Sequence, residues 1–386
     1  MGKQLIKARS HIAILDAIGA HGGMHYYTDN QASALVAAGH RVTVYSLPAS
    51  TDRCASYAKV QTFRRIYGND AKVIRGVRFF RDIASSLLSA RRKGVRVLIY
   101  QMFKMDRFDQ FIVAGARRMG MRTIAIVHDV ERLDRPGSKA SLASIASNCD
   151  IMAVHNAFSA AALHRVLGNI PANVTIIPSG NYLAQFPSPP SKIEARAKLN
   201  LPADRTIVLF FGNPRREKGL HILLDAIVAH RDSRSLLVLV AGKMKPEEES
   251  NYRAFAKANG LTDRVRFDIG HVSDDALPNY YRAADIVALP YLRIYESAVA
   301  LMSMSFERPV LASDLQPLRE IVGDDARGIL FPVGNAAALS DRLREILSAP
   351  ERLDLLATEA TRYARDERSW ARTGAMLSTV SNSFWD

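Results

Sequence analysis

The sequence predicts an α/β protein with two Rossmann-like domains, each a parallel sheet covered by helices. Short runs of aliphatic and β-branched residues alternate with amphipathic helical segments along the 386 residues. The alternation restarts after residues 186–191 (FPSPPS), whose proline and serine content is typical of a linker. A chain of this length is also long enough for two domains.

The first half begins with a predicted strand at His11–Leu15 and a helix at Met24–Ala38. Gly39 ends that helix, because glycine readily takes the left-handed conformation that closes helices. The strands predicted to follow are Arg41–Tyr45, Val95–Tyr100, Arg122–Val127, Ile151–Val154 and Val174–Ile177. Alternation of this kind predicts a sheet whose ligands bind at the carboxyl ends of the strands.

The second half repeats the alternation. Its predicted strands are Ile207–Phe211, Leu236–Val240, Val265–Phe267, Ile286–Leu289 and Val310–Ala312. Its predicted helices are Leu220–Val228, Ala276–Ala284, Val299–Phe306 and Ala336–Leu347. Two units of similar size make the cleft between them the expected place for an active site.

Composition excludes several classes of protein. Hydrophobic residues make up 48% and charged residues 23%, as in ordinary globular proteins. Two cysteines, Cys54 and Cys149, are too few for a disulfide framework or a cysteine-rich zinc site. No apolar run reaches the length of about 18 residues that spans a bilayer. The apolar part of Met1–Ala20 is too short and too acidic for a signal peptide, so we expect a cytoplasmic protein.

Positive charge is concentrated in the first half. The net charge is +14, and residues 1–190 hold 25 basic and 11 acidic residues, whereas the rest is balanced. Within that half, residues 53–107 hold 14 basic and 3 acidic residues. Such a patch fits an anionic membrane, phosphorylated acceptors, nucleic acid or simply a solvated face. No zinc spacing, helix-turn-helix or aromatic-basic motif supports nucleic acid, so we expect no nucleic-acid partner.

Two glycine-containing loops lie between a predicted strand and a predicted helix. Gly19–Gly23 (GAHGG) suits polar or anionic ligands, but it lacks the dinucleotide fingerprint and also fits a plain turn. Gly212–Gly219 (GNPRREKG) places Arg215, Arg216 and Lys218 beside a helix start, which suits a diphosphate.

A third segment, Pro290–Pro309 (PYLRIYESAVALMSMSFERP), runs from a strand end into a helix. Ser297 is a candidate N-cap, and the N–H groups after it could hold phosphate. Glu296 could accept hydrogen bonds from sugar hydroxyls, or could simply complement the helix dipole.

Together and in this order, these motifs resemble the GT-B glycosyltransferases of family 4, also called group 1. These are retaining enzymes that use nucleotide-sugars in bacterial polysaccharide and glycolipid assembly. The resemblance covers nearly the whole chain. The segments that carry it are Gly22-Gly23, Ala38–Val42, Ile177–Gly180, Phe211-Gly212, Glu217–Gly219, Tyr280–Ile286, Leu289-Pro290, Arg308–Val310 and Arg319–Val322.

The resemblance implies an acceptor domain at 1–185 and a nucleotide-sugar domain at 192–365, facing each other across a cleft. It also implies a C-terminal helix in 366–386 that crosses back to the first domain. The implied reaction moves a hexose from a UDP- or GDP-sugar to a lipid-linked or saccharide acceptor, with retention, in cell-surface polysaccharide (exopolysaccharide) assembly. We expect the protein at the inner face of the cell membrane, held peripherally by its basic half.

The resemblance also implies residue roles. His128 and Glu296 are the expected catalytic residues. The expected donor-binding residues are Gly22, Gly23, Asn213, Arg215, Arg216, Lys218, Ser297 and Ala298. Cations at the departing diphosphate stabilise charge separation, and in this group that phosphate is thought to take the acceptor proton. The sequence has no D-x-D motif, and we expect neither a metal nor a cofactor.

The chain departs from the group at the helix after Glu296. Most members have two glutamates there, and the second usually holds the ribose hydroxyls. In this chain Met304 lies at that spacing, or Met302 when the alignment starts from Pro309, and Glu307 replaces a usual glycine. Two alternatives therefore stay open: a nucleotide-sugar epimerase-like enzyme on the same fold, and a degenerate partner subunit.

Overall fold

The structure is a computed structural model that describes residues 10–17, 19, 23–47, 56–63, 71–103, 105–130 and 139–385. The chain divides into two compact units, Met1–Gly180 with Arg368–Asp386, and Asn181–Glu367. Each unit holds one sheet, and every strand pairing in the described ranges is parallel. The predicted α/β class is therefore confirmed.

The first unit has a seven-stranded sheet in the order β3-β2-β1-β4-β5-β6-β7. Its strands are β1 (His11–Asp16), β2 (Arg41–Ser46), β3 (Ala58–Gln61), β4 (Val97–Met102), β5 (Arg122–Val127), β6 (Ile151–Val154) and β7 (Val174–Ile176). Its helices are α1 (Met24–Ala37), α2 (Lys72–Arg92), α3 (Arg107–Arg118), α4 (Lys139–Asn148), α5 (Ala157–Leu167) and, at the far end of the chain, α14 (Trp370–Asn382). All residues of β1 and β4 are buried, as expected for central strands covered on both faces.

The second unit has a six-stranded sheet in the order β10-β9-β8-β11-β12-β13. Its strands are β8 (Thr206–Phe211), β9 (Leu236–Gly242), β10 (Val265–Ile269), β11 (Ile286–Leu289), β12 (Val310–Ser313) and β13 (Gly328–Phe331). Its helices are α6 (Lys192–Lys198), α7 (Leu220–Val228), α8 (Pro246–Ala258), α9 (Leu277–Ala283), α10 (Ala298–Ser305), α11 (Gln316–Val322), α12 (Ala336–Ser348) and α13 (Arg352–Asp366). The strand order reverses between β8 and β11, and ligands bind at the carboxyl ends of strands at such a reversal.

Helix α14 completes the first unit. Its Gly374 lies so close to α1 that a Cβ there would stand 2.7 Å from the Cβ of Ala34. Its Thr373 hydroxyl donates to the carbonyl of Pro178 over 2.9 Å. Trp370 packs into the apolar core that surrounds the first sheet.

The change from the first unit to the second falls at Gly180–Asn181. The predicted linker, residues 186–191, lies beyond this point and packs on the second unit. The ring of Phe186 lies 5.1 Å from that of Phe306, and the Pro190 carbonyl accepts a hydrogen bond of 3.0 Å from Arg282. The segment predicted as a linker therefore lies near the change of unit, and it contacts the second unit at Phe186 and Pro190.

Asp285, just before β11, links three elements of the second unit. Its Oδ2 accepts hydrogen bonds from the Arg196 guanidinium over 2.7 Å and from the backbone N–H of Ile207 over 2.6 Å. Arg196, on α6, is buried and also donates to the carbonyl of Ala283. Lys192 of α6 forms a second, more exposed ion pair with Asp285. The network joins α6, α9 and the start of β8.

Helix α2 was not predicted, although it is the longest helix in the described ranges. One face of it is exposed along the whole helix and carries Val73, Val77, Phe80, Ala84 and Leu88. The spacing of three to four residues keeps these side chains on one side. None of the helices that the structure describes is long and apolar enough to cross a membrane.

Candidate functional site

Glycines shape the carboxyl edge of the second sheet. Gly212, directly after β8, has a φ of 111°, and its N–H donates to the carbonyl of Ala241 over 2.9 Å. Gly242, at the end of β9, has a φ of 129°, and a Cβ there would lie 2.6 Å from the oxygen of Gly212. Both backbone conformations favour glycine. At Gly242 there is also no room for a side chain, so the loop after β8 passes close to the end of β9.

That loop presents the three predicted cations. Arg215 and Arg216 are exposed and Lys218 is partly buried, and residues 216–218 form a single 3-10 turn. Among the described residues, none of the three cations has a carboxylate within ion-pair distance. Positive charge at the carboxyl edge of β8, just before the start of α7, is suited to an anionic ligand.

The loop after β11 packs against the turn formed by residues 216–218. Gly219 has a φ of 69°, and a Cβ there would lie only 1.8 Å from the carbonyl oxygen of Pro290. The N–H of Leu292 donates to the Glu217 carbonyl over 2.8 Å. The Lys218 ammonium stands 3.8 Å from the centre of the Tyr291 ring. The two neighbouring strand ends thus form one continuous platform.

The start of α10 carries the other predicted donor-binding residues. Ser297 is buried and caps the helix, because its hydroxyl accepts from the Ala300 N–H over 3.2 Å. Ala298 is exposed in the first turn, where backbone N–H groups have no intrahelical partner. Glu296 is partly buried near Tyr182, whose pKa is raised by burial and further by the Glu296 charge.

The structure agrees with the departures seen in the sequence. Met302 and Met304 are buried within α10, so neither candidate position presents a carboxylate. Glu307, where the group usually has glycine, has a φ of 59°. This left-handed conformation favours glycine, which accounts for the usual residue there. In this chain Glu307 pairs with Arg282.

In the first unit, a buried aspartate organises the glycine loop. Asp16 ends β1, and its two oxygens accept from the Gly19 N–H and the Thr28 hydroxyl, each over 2.7 Å. Gly23 precedes α1 with a φ of 80°. Gly22 lies outside the described residues. Asp16 therefore joins the start of this loop to helix α1.

His128 follows β5 and lies in a chain of polar side chains. Its Nε2 is 2.8 Å from the Gln101 Oε1, and its Nδ1 is 3.2 Å from the His155 Nε2. The ring of Phe103 stacks on it at 4.5 Å. Burial lowers the pKa of His128 well below its usual value, and the neighbouring His155 lowers it further. The pKa shift favours a neutral imidazole near pH 7, and both ring nitrogens already have partners.

The structure groups the predicted residues by unit. Asn213, Arg215, Arg216, Lys218, Glu296, Ser297 and Ala298 lie at the carboxyl ends of the adjacent strands β8 and β11 or at the helix after them. Gly23 and His128 belong to the first unit. There the ring of Tyr27 on α1 meets the His128 ring edge to face, with 5.1 Å between the ring centres.

The sequence analysis missed four residues that shape these sites. They are Asp16, Gln101, His155 and Tyr291. For His155 a signal was present, since it directly follows β6 as His128 follows β5. Its Nδ1 lies 2.9 Å from the Ile177 carbonyl oxygen, which orients its ring toward His128.

Two family descriptions match this chain. Glycosyl transferases group 1 matches residues 191–365, and Glycosyltransferase Family 4 matches residues 21–184. Together they cover every strand of both sheets except β1.

Similar curated proteins are D-inositol 3-phosphate glycosyltransferases. The protein of Saccharomonospora viridis is 32% identical over 237 residues, which is 59% of this chain and 54% of that protein. The protein of Salinispora tropica is 33% identical over 217 residues, or 53% of this chain and 44% of that protein. The chain thus spans about half the length of the curated relatives that it matches.

Solved structures show the same fold over nearly the full chain. Sucrose-phosphate synthase of Thermosynechococcus elongatus has a TM-score of 0.78 at 21% identity, covering 98% of this chain and 99% of that one. Anabaena HepE, in complex with UDP and glucose, has a TM-score of 0.75 at 16% identity, covering 97% of this chain and 100% of that one. With both family descriptions and the GT-B architecture in place, this chain belongs to the group 1 glycosyltransferases.

Proposed function

We propose that this chain transfers a hexose from a UDP- or GDP-sugar, with retention, to a phosphate-bearing acceptor, lipid-linked or saccharide, in cell-surface polysaccharide assembly. The relatives named above are similar to it over about half their length and act, by name, on a phosphorylated inositol. An acceptor with a phosphate also agrees with the excess of 14 positive charges in residues 1–190.

One observation carries the donor assignment. Arg215, Arg216 and Lys218 lie together at the end of β8 without a carboxylate partner among the described residues. Because none of the three cations has an ion-pair partner, an anion that binds at this turn can gain energy from each of them. A diphosphate offers several oxygens for such contacts.

In this proposal the same cations drive the chemistry. Breaking the bond between the sugar carbon and the phosphate places negative charge on the leaving diphosphate. Cations already in place stabilise that charge more in the transition state than in the bound donor. Glu296 holds donor-sugar hydroxyls, and N–H groups at the start of α10 contact phosphate.

His128 has a more limited role in the proposal than an acid–base catalyst. Its lowered pKa makes it a poor proton donor near pH 7, and its nitrogens contact Gln101 and His155. We assign it a role as a neutral ring that Gln101 and His155 hold in one orientation at the end of β5.

Lys218→Met tests the donor site. In a thermal-shift panel of UDP, GDP, ADP and dTDP, with and without EDTA, we expect one diphosphate to raise the melting temperature of the wild type. At about 100 times its dissociation constant, a ligand adds about 2.7 kcal/mol of stability, which is a shift of about 5 °C or more. We expect EDTA to leave the shift unchanged and Lys218→Met to abolish most of it.

Lys257→Met is the matched control, because Lys257 is an exposed lysine at the far end of α8. It should keep the full shift. If no diphosphate stabilises the wild type, the donor assignment is wrong, and the degenerate partner subunit becomes the better interpretation of the methionines on α10.

We also propose that α2 docks on an anionic membrane at the inner face of the cell. Val73 and Val77 are 76% and 66% exposed on its outward face, and Phe80 continues the face. The rings of Phe108 and Phe111 on α3, both exposed, lie within 6 Å of Phe80 and extend the apolar surface.

Charge on the same helix favours a bilayer over an apolar protein partner. The sequence of α2 has six basic residues and one acidic residue, and the helix is about 30 Å long. An apolar face bordered by arginines is typical of helices that lie in the headgroup region of anionic bilayers.

Vesicle sedimentation tests this surface. We expect the wild type to bind vesicles of phosphatidylglycerol and phosphatidylcholine and to ignore pure phosphatidylcholine. Val77→Asp should weaken binding about fivefold or more, because it places a negative charge and removes apolar area at the centre of the face. Leu355→Asp, at a 72% exposed leucine of α13, is the control and should bind normally. Equal binding of both variants would contradict docking through α2.

A further inference from the structure

We propose that Tyr291 is a positioning residue, whose ring holds the Lys218 ammonium in place for the donor diphosphate without neutralising it. This inference rests on the proposed donor site and names a residue that acts there through Lys218. The contact is direct, since the ammonium nitrogen stands 3.8 Å from the ring centre.

The surroundings of Tyr291 fix the ring firmly. Tyr291 is 1% exposed and follows β11. Its N–H donates to the Leu289 carbonyl over 2.8 Å, and the N–H of Leu292 reaches the Glu217 carbonyl of the cation turn over the same distance. Tyr281 is close enough that Tyr291 and Tyr182 add to burial in raising the pKa of Tyr281 well above its usual value. A ring that is almost fully buried has little room to turn, so its face stays toward Lys218.

An aromatic face suits this task better than a carboxylate. A carboxylate beside Lys218 would orient the ammonium, but it would also cancel the charge that the diphosphate needs, and the ligand would have to compete with it. The negative face of a ring attracts an ammonium through its quadrupole and carries no net charge. The ammonium therefore loses conformational freedom but keeps its full charge. It also keeps N–H groups that are directed away from the ring.

The hydroxyl of Tyr291 takes no part in this contact. It is buried, and it has no hydrogen-bond partner among the described residues. The ring alone is therefore the functional part, which makes Tyr291→Phe a conservative variant and Tyr291→Leu the variant that removes the interaction.

Isothermal titration with UDP, or with whichever diphosphate stabilises the wild type, tests the inference. We expect Tyr291→Leu to weaken affinity about tenfold, which corresponds to about 1.4 kcal/mol, and Tyr291→Phe to bind like the wild type. In a Lys218→Met background, Tyr291→Leu should change the affinity no further, because the ring acts through the ammonium. A general structural defect would instead lower the affinity in both backgrounds.

A second measurement needs no nucleotide. Reductive methylation with 13C-formaldehyde labels lysine amines, and methyl groups above a ring face resonate upfield. We expect an upfield signal that is absent from Lys218→Arg and Tyr291→Leu and kept in Tyr291→Phe. If no diphosphate binds but this signal appears, the proposed function fails and the positioning contact stands. If Tyr291→Leu leaves both the affinity and the spectrum unchanged, Tyr291 does not position Lys218.

Discussion

Replacing Gly219 with alanine will destabilise the second unit by about 2–4 kcal/mol and will also abolish diphosphate binding. The backbone at φ 69° costs a residue with a Cβ about 1 kcal/mol. The larger cost is steric, because the new Cβ would stand 1.8 Å from the Pro290 carbonyl oxygen. That oxygen is backbone and cannot rotate away, so the loop after β11 must move, at a typical cost of 1–3 kcal/mol.

A comparison of Gly219→Ala with Gly260→Ala in urea unfolding separates the cost of the backbone conformation from the steric cost. Gly260 has a φ of 70°, but a Cβ there would have no atom within 4 Å. Gly260→Ala should therefore lower the free energy of unfolding by only about 1 kcal/mol. If the two variants lose the same stability, the close approach of Gly219 to Pro290 has no energetic weight, and the platform under Lys218 is not rigid.

Asp285→Ala will lower the free energy of unfolding by about 3–5 kcal/mol, the usual cost of leaving one partner of a buried pair uncompensated. Arg196 is 5% exposed and would keep its charge without the carboxylate. The Ile207 N–H would lose its acceptor in the same step. Chemical denaturation monitored by far-UV circular dichroism measures the loss.

Two further variants test the cause. Asp341→Ala removes an exposed pair with Arg344, and should cost less than about 1 kcal/mol. Arg196→Met in the Asp285→Ala background should recover part of the stability, because it removes the unpaired charge. No recovery would mean that the Asp285 carboxylate acts mainly through Ile207 and Lys192, not through its pair with Arg196.

The alternation of strands and helices predicted the fold because central parallel strands are buried on both faces and read as continuous apolar runs. The same reasoning missed β3, whose four residues (AKVQ) include two polar side chains and lie at the sheet edge. It also missed α2, because an exposed apolar face disturbs the pattern of a core-facing helix.

The residues of the candidate sites were also predictable only in part. The cations after β8 were predictable because they share one loop with glycines of restricted conformation. Tyr291, Gln101 and His155 were not, because their partners come from other strands and only the sheet order brings them together. Both His128 ring nitrogens have polar partners, and these partners lie 27 residues away on either side of His128 in the chain.

The return of α14 to the first unit sets an order for folding during synthesis. Trp370 and Leu377 belong to the same apolar core as Ile12 and Ile14. A nascent chain can therefore close its second unit first, since residues 181–367 are contiguous. The unit translated first is completed last, and until α14 leaves the ribosome the α1 surface around Ala34 lacks the helix that covers it.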